Sequence, residues 1–203
     1  VVYMQNSGEG NIINPVASLL NDKVYAIPMI FIVGWRGEPG NYDEPQHIYQ
    51  GEVTLKLLDD MNISTFIIGK ETTEIELKAA MQKFKPVLDA GGNVAFVVRK
   101  GAITYDSKVK YGNNNAMIRE EIIQHIVQVT QEDPIICTTG KASRELFETR
   151  AANKQSHKYD FLTVGSMGHS SSIALGVAIN KPDTKIWCID GDGSVLMHMG
   201  SMA

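Results

Sequence analysis

Short, β-branched apolar runs take turns along this sequence with segments whose apolar residues recur every three or four positions. The runs are residues 24–33 (VYAIPMIFIV), 63–68 (ISTFII), 93–98 (NVAFVV), 134–139 (PIICTT), 161–164 (FLTV) and 185–190 (KIWCID). Helix-period segments separate them. One is 47–61, through Leu55, Leu58 and Met61. A second opens at Thr72 or Thr73, carries Glu74 and Glu76 in its first turn, runs through Leu77, Met81, Phe84 and Leu88, and closes at Gly91-Gly92. Others are 117–129, through Ile118, Ile122, Ile126 and Val129, then 143–152, then a small-residue stretch, 168–179. Near-continuous apolar runs suit strands buried on both faces, and their alternation with helices suits a parallel sheet covered by helices. Pro28 falls early in its run, where a strand tolerates it. The predicted fold class is α/β, as two doubly wound parallel-sheet domains.

A polar stretch, 101–115, contains Gly101, Gly112 and three consecutive Asn, and is the expected linker between domains 1–100 and 116–203. Lys and Arg number 19 against 23 Asp and Glu, a net charge of −4. That balance gives no global attraction to nucleic acid or to an anionic membrane. The longest apolar run, 24–33, is too short for a membrane span and is interrupted by Pro28. Two cysteines exclude a disulfide-dense scaffold; Cys137 and Cys188 lie in apolar runs and are expected to pack as reduced core residues. A cytoplasmic location is expected. The first residues carry neither an initiator Met nor a signal peptide, and the last stop inside a structured run. The chain therefore reads as an internal piece of a longer protein, with both domains cut.

Two strand-end turns carry the chemical signal. Gly191-Asp192-Gly193-Ser194 follows the run 185–190, and in open parallel sheets ligands bind at the carboxyl ends of strands. Glycines there let backbone approach a phosphate, and a carboxylate can hold Mg²⁺. An acidic glycine turn on the surface is the bland alternative. An EF-hand reading fails: counted from Asp190, the sixth position is Val195 and the twelfth Ser201, where Gly and an acid are required. A Rossmann fingerprint at Gly8-Glu9-Gly10 lacks its third glycine and has no clear strand before it. The second turn is Gly165-Ser166-Met167-Gly168-His169, between a strand and the small-residue helix.

The order GSMG, small-residue helix, apolar strand, GDGS resembles the diphosphate-binding domain of thiamine diphosphate (ThDP)-dependent decarboxylases. The segments Tyr3-Met4-Gln5-Asn6-Ser7-Gly8, Gly34-Trp35-Arg36-Gly37-Glu38-Pro39-Gly40, Asp43-Glu44-Pro45-Gln46-His47, Thr138-Thr139-Gly140 and Ser143-Arg144-Glu145-Leu146 resemble the phosphonopyruvate decarboxylase family. The resemblance covers almost the whole chain. GDGS is specific only to the cofactor superfamily; GWRGEPG and DEPQH select the family.

The resemblance implies that 1–100 is the back part of a pyrimidine-binding domain and 116–203 the front part of a diphosphate-binding domain. It makes Asp192 a Mg²⁺ ligand and has Gly191, Gly193 and Ser194 wrap the cofactor diphosphate. Gly165, by its carbonyl, Ser166 and Met167 would hold the pyrimidine end, with Met167 wedged between the two rings. The activating glutamate is expected upstream of Val1, and an Asn completing the metal site downstream of Ala203. The implied activity is decarboxylation of a 2-oxo acid, 3-phosphonopyruvate or its sulfonate analogue, in the service of phosphonate biosynthesis. The implied assembly is a homo-oligomer with active sites between subunits. Arg36, Gln46, Lys141 and Arg144 are candidates for the anionic substrate, and His47 and His169 for proton donation. Each has an ordinary reading too, a surface ion pair for Arg36 and a loop or helix-start residue for the histidines. A non-catalytic module that keeps the fold, or a nucleotide-binding α/β protein, remains an alternative.

Overall fold

A computed structural model describes residues 1–107 and 112–203; residues 108–111, within the expected linker, lie outside the described residues. The chain divides into two compact units, Val1–Val109 and Lys110–Ala203. No helix among the described residues is long and apolar enough to cross a membrane.

The first unit holds β1 (Val2–Gln5), α1 (Glu9–Ala17), β2 (Met29–Gly34), α2 (Pro45–Asp60), β3 (Ser64–Ile68), α3 (Glu74–Asp89) and β4 (Asn93–Val98). Its sheet runs β1-β2-β4-β3 with every neighbour parallel. Side chains alternate across a strand, so one sheet serves two cores. Phe31, Val33, Ala95 and Val97 face Val16, Leu20 and Leu58 of the α1 and α2 side. Val94 and Phe96 face Ala80 and Phe84 of α3. Helices thus cover both faces. Thr73 caps α3 in a reciprocal box, its side chain accepting the Glu76 amide while the Glu76 carboxylate accepts the Thr73 amide at 2.8 Å.

Two features differ from the sequence expectation. The strand expected over 24–33 begins only at Met29, because Pro28 has no N–H to give the ladder and Ala26 turns the chain at φ 49°. A strand, β1, does precede Gly8. Four residues on a sheet edge, alternately exposed, leave too short a pattern to stand out.

The second unit holds α4 (Arg119–Thr130), β5 (Ile135–Cys137), α5 (Lys141–Ala152), β6 (Asp160–Leu162), α6 (Ser170–Asn180), β7 (Trp187–Ile189) and α7 (Asp192–Met197). The sheet is β6-β5-β7, again parallel. Ile135, Cys137 and Leu146 pack with Ile123 and Val127 of α4. Of the α4 stripe expected from sequence, Ile126 packs against this core, while Ile118, Ile122 and Val129 are exposed. Both stripes are apolar, and packing chose the neighbouring one. Cys137 is buried, and burial pushes its thiol up to about 11, as a packed residue requires. Cys188 is not a core residue as expected but exposed. It sits on edge strand β7, facing away from the core taken by Trp187 and Ile189. Arg150 anchors α5 from within: it is 2% exposed, donates Nε and Nη2 to Asp160 at 3.1 and 3.0 Å, and gives Nη1 to the Gln131 carbonyl.

Candidate functional site

In the first unit the carboxyl ends of β1 and β2 are tied by Asn6. Its side chain is buried; Nδ2 donates to the Arg36 carbonyl (2.8 Å) and to Thr54 Oγ1 (2.9 Å), and Oδ1 accepts the Arg36 amide. The Arg36 guanidinium is engaged by Asp43, through Nε at 2.7 Å and through a second, shorter contact from Nη2. Asp43 also accepts the amides of Gly37 and Glu44. The guanidinium beside it, with those amides, holds the Asp43 carboxyl far below the usual carboxylate range, against the effect of burial. The surface ion pair weighed for Arg36 thus forms with Asp43, while Glu38 pairs with Arg99 at 2.8 Å. The cleft under this loop is lined by Glu38, Asp43 and Glu52 with Tyr42, Pro45 and Ile48.

Gln46 and His47 lie in the first turn of α2, half-buried. His47 Nδ1 is buried with no hydrogen-bond partner among the described residues. Its carbonyl presses on Gly37: a Cβ there would lie 1.9 Å from His47 O, and Gly37 has φ 66°. The loop therefore requires glycine.

In the second unit three strand ends converge. Thr138 follows β5, Gly165 to Gly168 follow β6, and Asp190 to Ser194 follow β7. The β6 loop is set in left-handed backbone, with φ 69° at Gly165, 45° at Ser166 and 96° at Gly168. The Gly165 amide donates to Thr139 Oγ1 at 2.9 Å. A Cβ on Gly168 would meet His198 Cδ2 at 2.6 Å, so only glycine fits that turn. His169 Nδ1 lies 3.0 Å from the Ser166 carbonyl and must carry a hydrogen to bond it; the ring sits 4.4 Å from that of His198. Met167 is half-exposed, and a Cβ on Gly193 would fall 3.1 Å from its Cε. The two turns singled out in sequence thus touch.

A helix begins inside GDGS: Gly191 is the N-cap and Asp192 the first residue of α7. Asp192 is exposed, and its Oδ1 accepts the Gly193 amide at 2.8 Å. The Gly191 amide goes to Asp190 Oδ1 at 2.9 Å. Lys141 and Arg144 occupy the first turn of α5, both exposed, after Thr138-Thr139-Gly140.

Residues 138–203 match the family model described as thiamine pyrophosphate enzyme, C-terminal TPP binding domain, thiamine pyrophosphate being the same compound as ThDP. Residues 138–203 are such a domain. The match begins at Thr138 and takes in every strand end of the TPP binding domain just described. Relatives extend beyond it. The chain is 33% identical to phosphonopyruvate decarboxylase of Streptomyces viridochromogenes over 98% of its own length and 52% of that protein. Against the sulfopyruvate decarboxylase beta subunit of Methanococcus maripaludis it is 41% identical, over 43% of the chain and 44% of the subunit. A sulfopyruvate decarboxylase of Methanosarcina acetivorans is 25% identical over the whole chain and 55% of that protein. The chain spans about half the length of the phosphonopyruvate decarboxylases it matches.

The residues of the TPP binding domain fit the group its family name implies. Nothing lies within 4 Å of a Cβ built on Gly191, so there is open room at the turn for a bulky anion. Asp192 offers a hard oxygen beside that space, the donor Mg²⁺ selects. Sequence reasoning missed the ties that Asn6 and Asp190 make at the strand ends. A polar residue one or two places beyond a strand end was the available signal for Asn6 and Asp190.

Proposed function

We propose that the protein is a ThDP- and Mg²⁺-dependent 2-oxo acid decarboxylase acting on 3-phosphonopyruvate, giving phosphonoacetaldehyde and CO₂. One observation carries this reading: likeness to phosphonopyruvate decarboxylase at 33% identity extends over 98% of the chain, through both units. Bound ThDP would supply the sink for the electron pair left when the carboxylate departs as CO₂. Asp192 would hold the Mg²⁺. Gly191 would leave room for the diphosphate and Gly193 would let Met167 close on the turn, their amides already donating to Asp190 and Asp192. Gly165, Ser166 and Met167 form the turn that would hold the pyrimidine end. The reaction breaks one C–C bond, and the carbon takes up one proton, which His47 or His169 would deliver. In His169, Nδ1 is committed to the Ser166 carbonyl, so delivery falls to Nε2 of the doubly protonated ring. Arg36, Gln46, Lys141 and Arg144 would contact the substrate anions, Arg36 with a guanidinium already braced by Asp43. The protein is read as a homo-oligomer with active sites between subunits.

A second reading, sulfopyruvate as substrate, is favoured by the 41% identity to the beta subunit. A competition assay on the full-length protein with ThDP and Mg²⁺ separates them. The expected outcome is a kcat/KM for phosphonopyruvate at least about ten-fold above that for sulfopyruvate. The reverse preference establishes the second reading. Failure to decarboxylate either one overturns both readings and leaves a decarboxylase of another 2-oxo acid or a non-catalytic module that keeps the fold.

A further inference from the structure

Strand β2 ends at Gly34, and beyond it the peptide groups of Arg36 need partners outside the ladder. One side chain supplies both. Asn6 Oδ1 accepts the Arg36 amide at 3.1 Å, and Asn6 Nδ2 donates to the Arg36 carbonyl at 2.8 Å. Nδ2 also donates to Thr54 Oγ1 on α2, and that hydroxyl donates in turn to the Gln50 carbonyl at 2.8 Å. Gln50 Nε2 reaches back to the Asn6 carbonyl at 3.3 Å. Asn6 is 0% exposed, so its amide is spent wholly inside the protein. The Arg36 side chain, held by its own backbone in this clasp, reaches the surface and is 40% exposed. Asp43 takes Nε and Nη2, the fork along one side of the guanidinium. A guanidinium carries a second fork at its end, one hydrogen from each Nη, and Asp43 leaves that one open. Parallel N–H groups on such an edge match the oxygens of a further oxyanion.

We infer that Asn6 is a positioning residue for substrate specificity: by clasping the Arg36 peptide it aims the guanidinium, braced by Asp43, at the phosphonate or sulfonate end of the substrate rather than at its 2-oxo carboxylate. The two anions make opposite demands. The carboxylate sheds its charge as CO₂ leaves, so an ion pair to it is strongest in the ground state and raises the barrier. The distal anion keeps its charge throughout, so holding it lowers KM and leaves the chemical step alone. A guanidinium fixed in place suits the anion that stays in place. The inference rests on the decarboxylase reading and goes beyond it, because that reading names Arg36 without saying which anion it meets and gives Asn6 no part.

The test is a kinetic double-mutant cycle in the full-length protein, loaded with ThDP and Mg²⁺ and assayed with phosphonopyruvate, or with sulfopyruvate where that is the better substrate. The variants are Asn6→Ala, Arg36→Gln and the pair. Asn6→Ala is expected to raise KM roughly ten-fold, the range of one lost buried hydrogen bond, with kcat within about two-fold of wild type. Arg36→Gln is expected to raise KM at least as much. In the pair the Asn6 change is expected to add nothing, since the group it aims is gone. An Asn6 that only supports the fold would lose the same factor in both backgrounds, and that result overturns the inference. So does an unchanged KM in a folded Asn6→Ala, while wild-type turnover leaves the decarboxylase reading intact. A kcat that rises together with KM moves Arg36 to the departing carboxylate and overturns its assignment to the distal anion. A wild type that decarboxylates neither substrate overturns the reading for both and the inference with it. Should Asn6→Ala not fold, Thr54→Val keeps the shape but removes the Asn6 anchor; it takes its place with KM expected roughly three-fold higher and the same outcomes.

Discussion

Glu9 is the residue least at ease in this chain. It opens α1 on the side that carries Val16 and Leu20 into the core, is 1% exposed, and neither carboxyl oxygen has a hydrogen-bond partner among the described residues. Burial alone pushes its pKa up to about 8 from 4.5. Neither Arg36 beyond β2 nor His47, Glu52, Lys56, Asp59 or Asp60 on α2 contributes to that displacement. The sign follows from linkage. Below pH 4.5 the carboxyl is protonated folded and unfolded, and adds no pH dependence. Between 4.5 and 8 only the unfolded chain ionises, so stability falls as pH rises, by at most about 1.4 kcal/mol per pH unit, and levels off above 8. Denaturant melts from pH 4 to 9 should show this slope in the wild type. Glu9→Gln should flatten it and be the more stable protein at pH 8. Parallel curves for the two would mean that the carboxyl has found a donor. Sequence could not reveal Glu9: an acid in the first turn of a helix is ordinary, and only the packed face it landed on makes it costly.

Among the elements, α2 and the loop 35–44 show backbone locked into backbone. A Cβ on Gly51, inside α2, would lie 1.8 Å from the Gly37 carbonyl oxygen, and Trp35 Nε1 donates to the Gly51 carbonyl at 2.9 Å. Replacing a helix-interior glycine by alanine ordinarily stabilises by about 1 kcal/mol. Here Gly51→Ala should instead destabilise by roughly 2 kcal/mol or more, because the colliding atoms are main chain and the loop cannot yield without losing Asp43 and Arg36. Thermal melts of Gly51→Ala beside an exposed-helix control such as Glu52→Ala check this; a raised Tm for Gly51→Ala would show that the contact is slack. Element type was readable wherever a local signal was complete. Strand β4 was read at its full extent, and α3 was marked by its Thr73 cap. It was unreadable where two answers were locally equal, as on α4, whose Ile122 and Ile123 both suit a core. It failed also where one atom decided, as at Pro28, whose missing N–H delays β2.

At the scale of the whole molecule, the candidate site was legible as two turns, GSMG and GDGS, but not as a network. Ser194 meets Thr138 and Gly168 across 56 and 26 residues of sequence, and Asn6 meets Thr54 across 48. No local pattern encodes partners so distant; topology brings them together. If the second unit holds ThDP through Mg²⁺ at Asp192, the full-length protein should gain about 2.7 kcal/mol of stability at a hundred-fold excess over Kd. Thermal-shift measurements should show the rise with ThDP plus Mg²⁺, its loss on chelation or in Asp192→Ala, and none with ATP or NAD. A rise with ATP alone would move the site to a nucleotide-binding protein. The parallel pairing of the seven strands among the described residues has a further effect. In each unit every strand empties onto a single rim, where Arg36, Thr138, Gly165 and Asp192 are found, while the opposite rim only returns the chain to the sheet. New specificities can therefore evolve by exchanging segments along one border, leaving the hydrophobic layers beneath untouched.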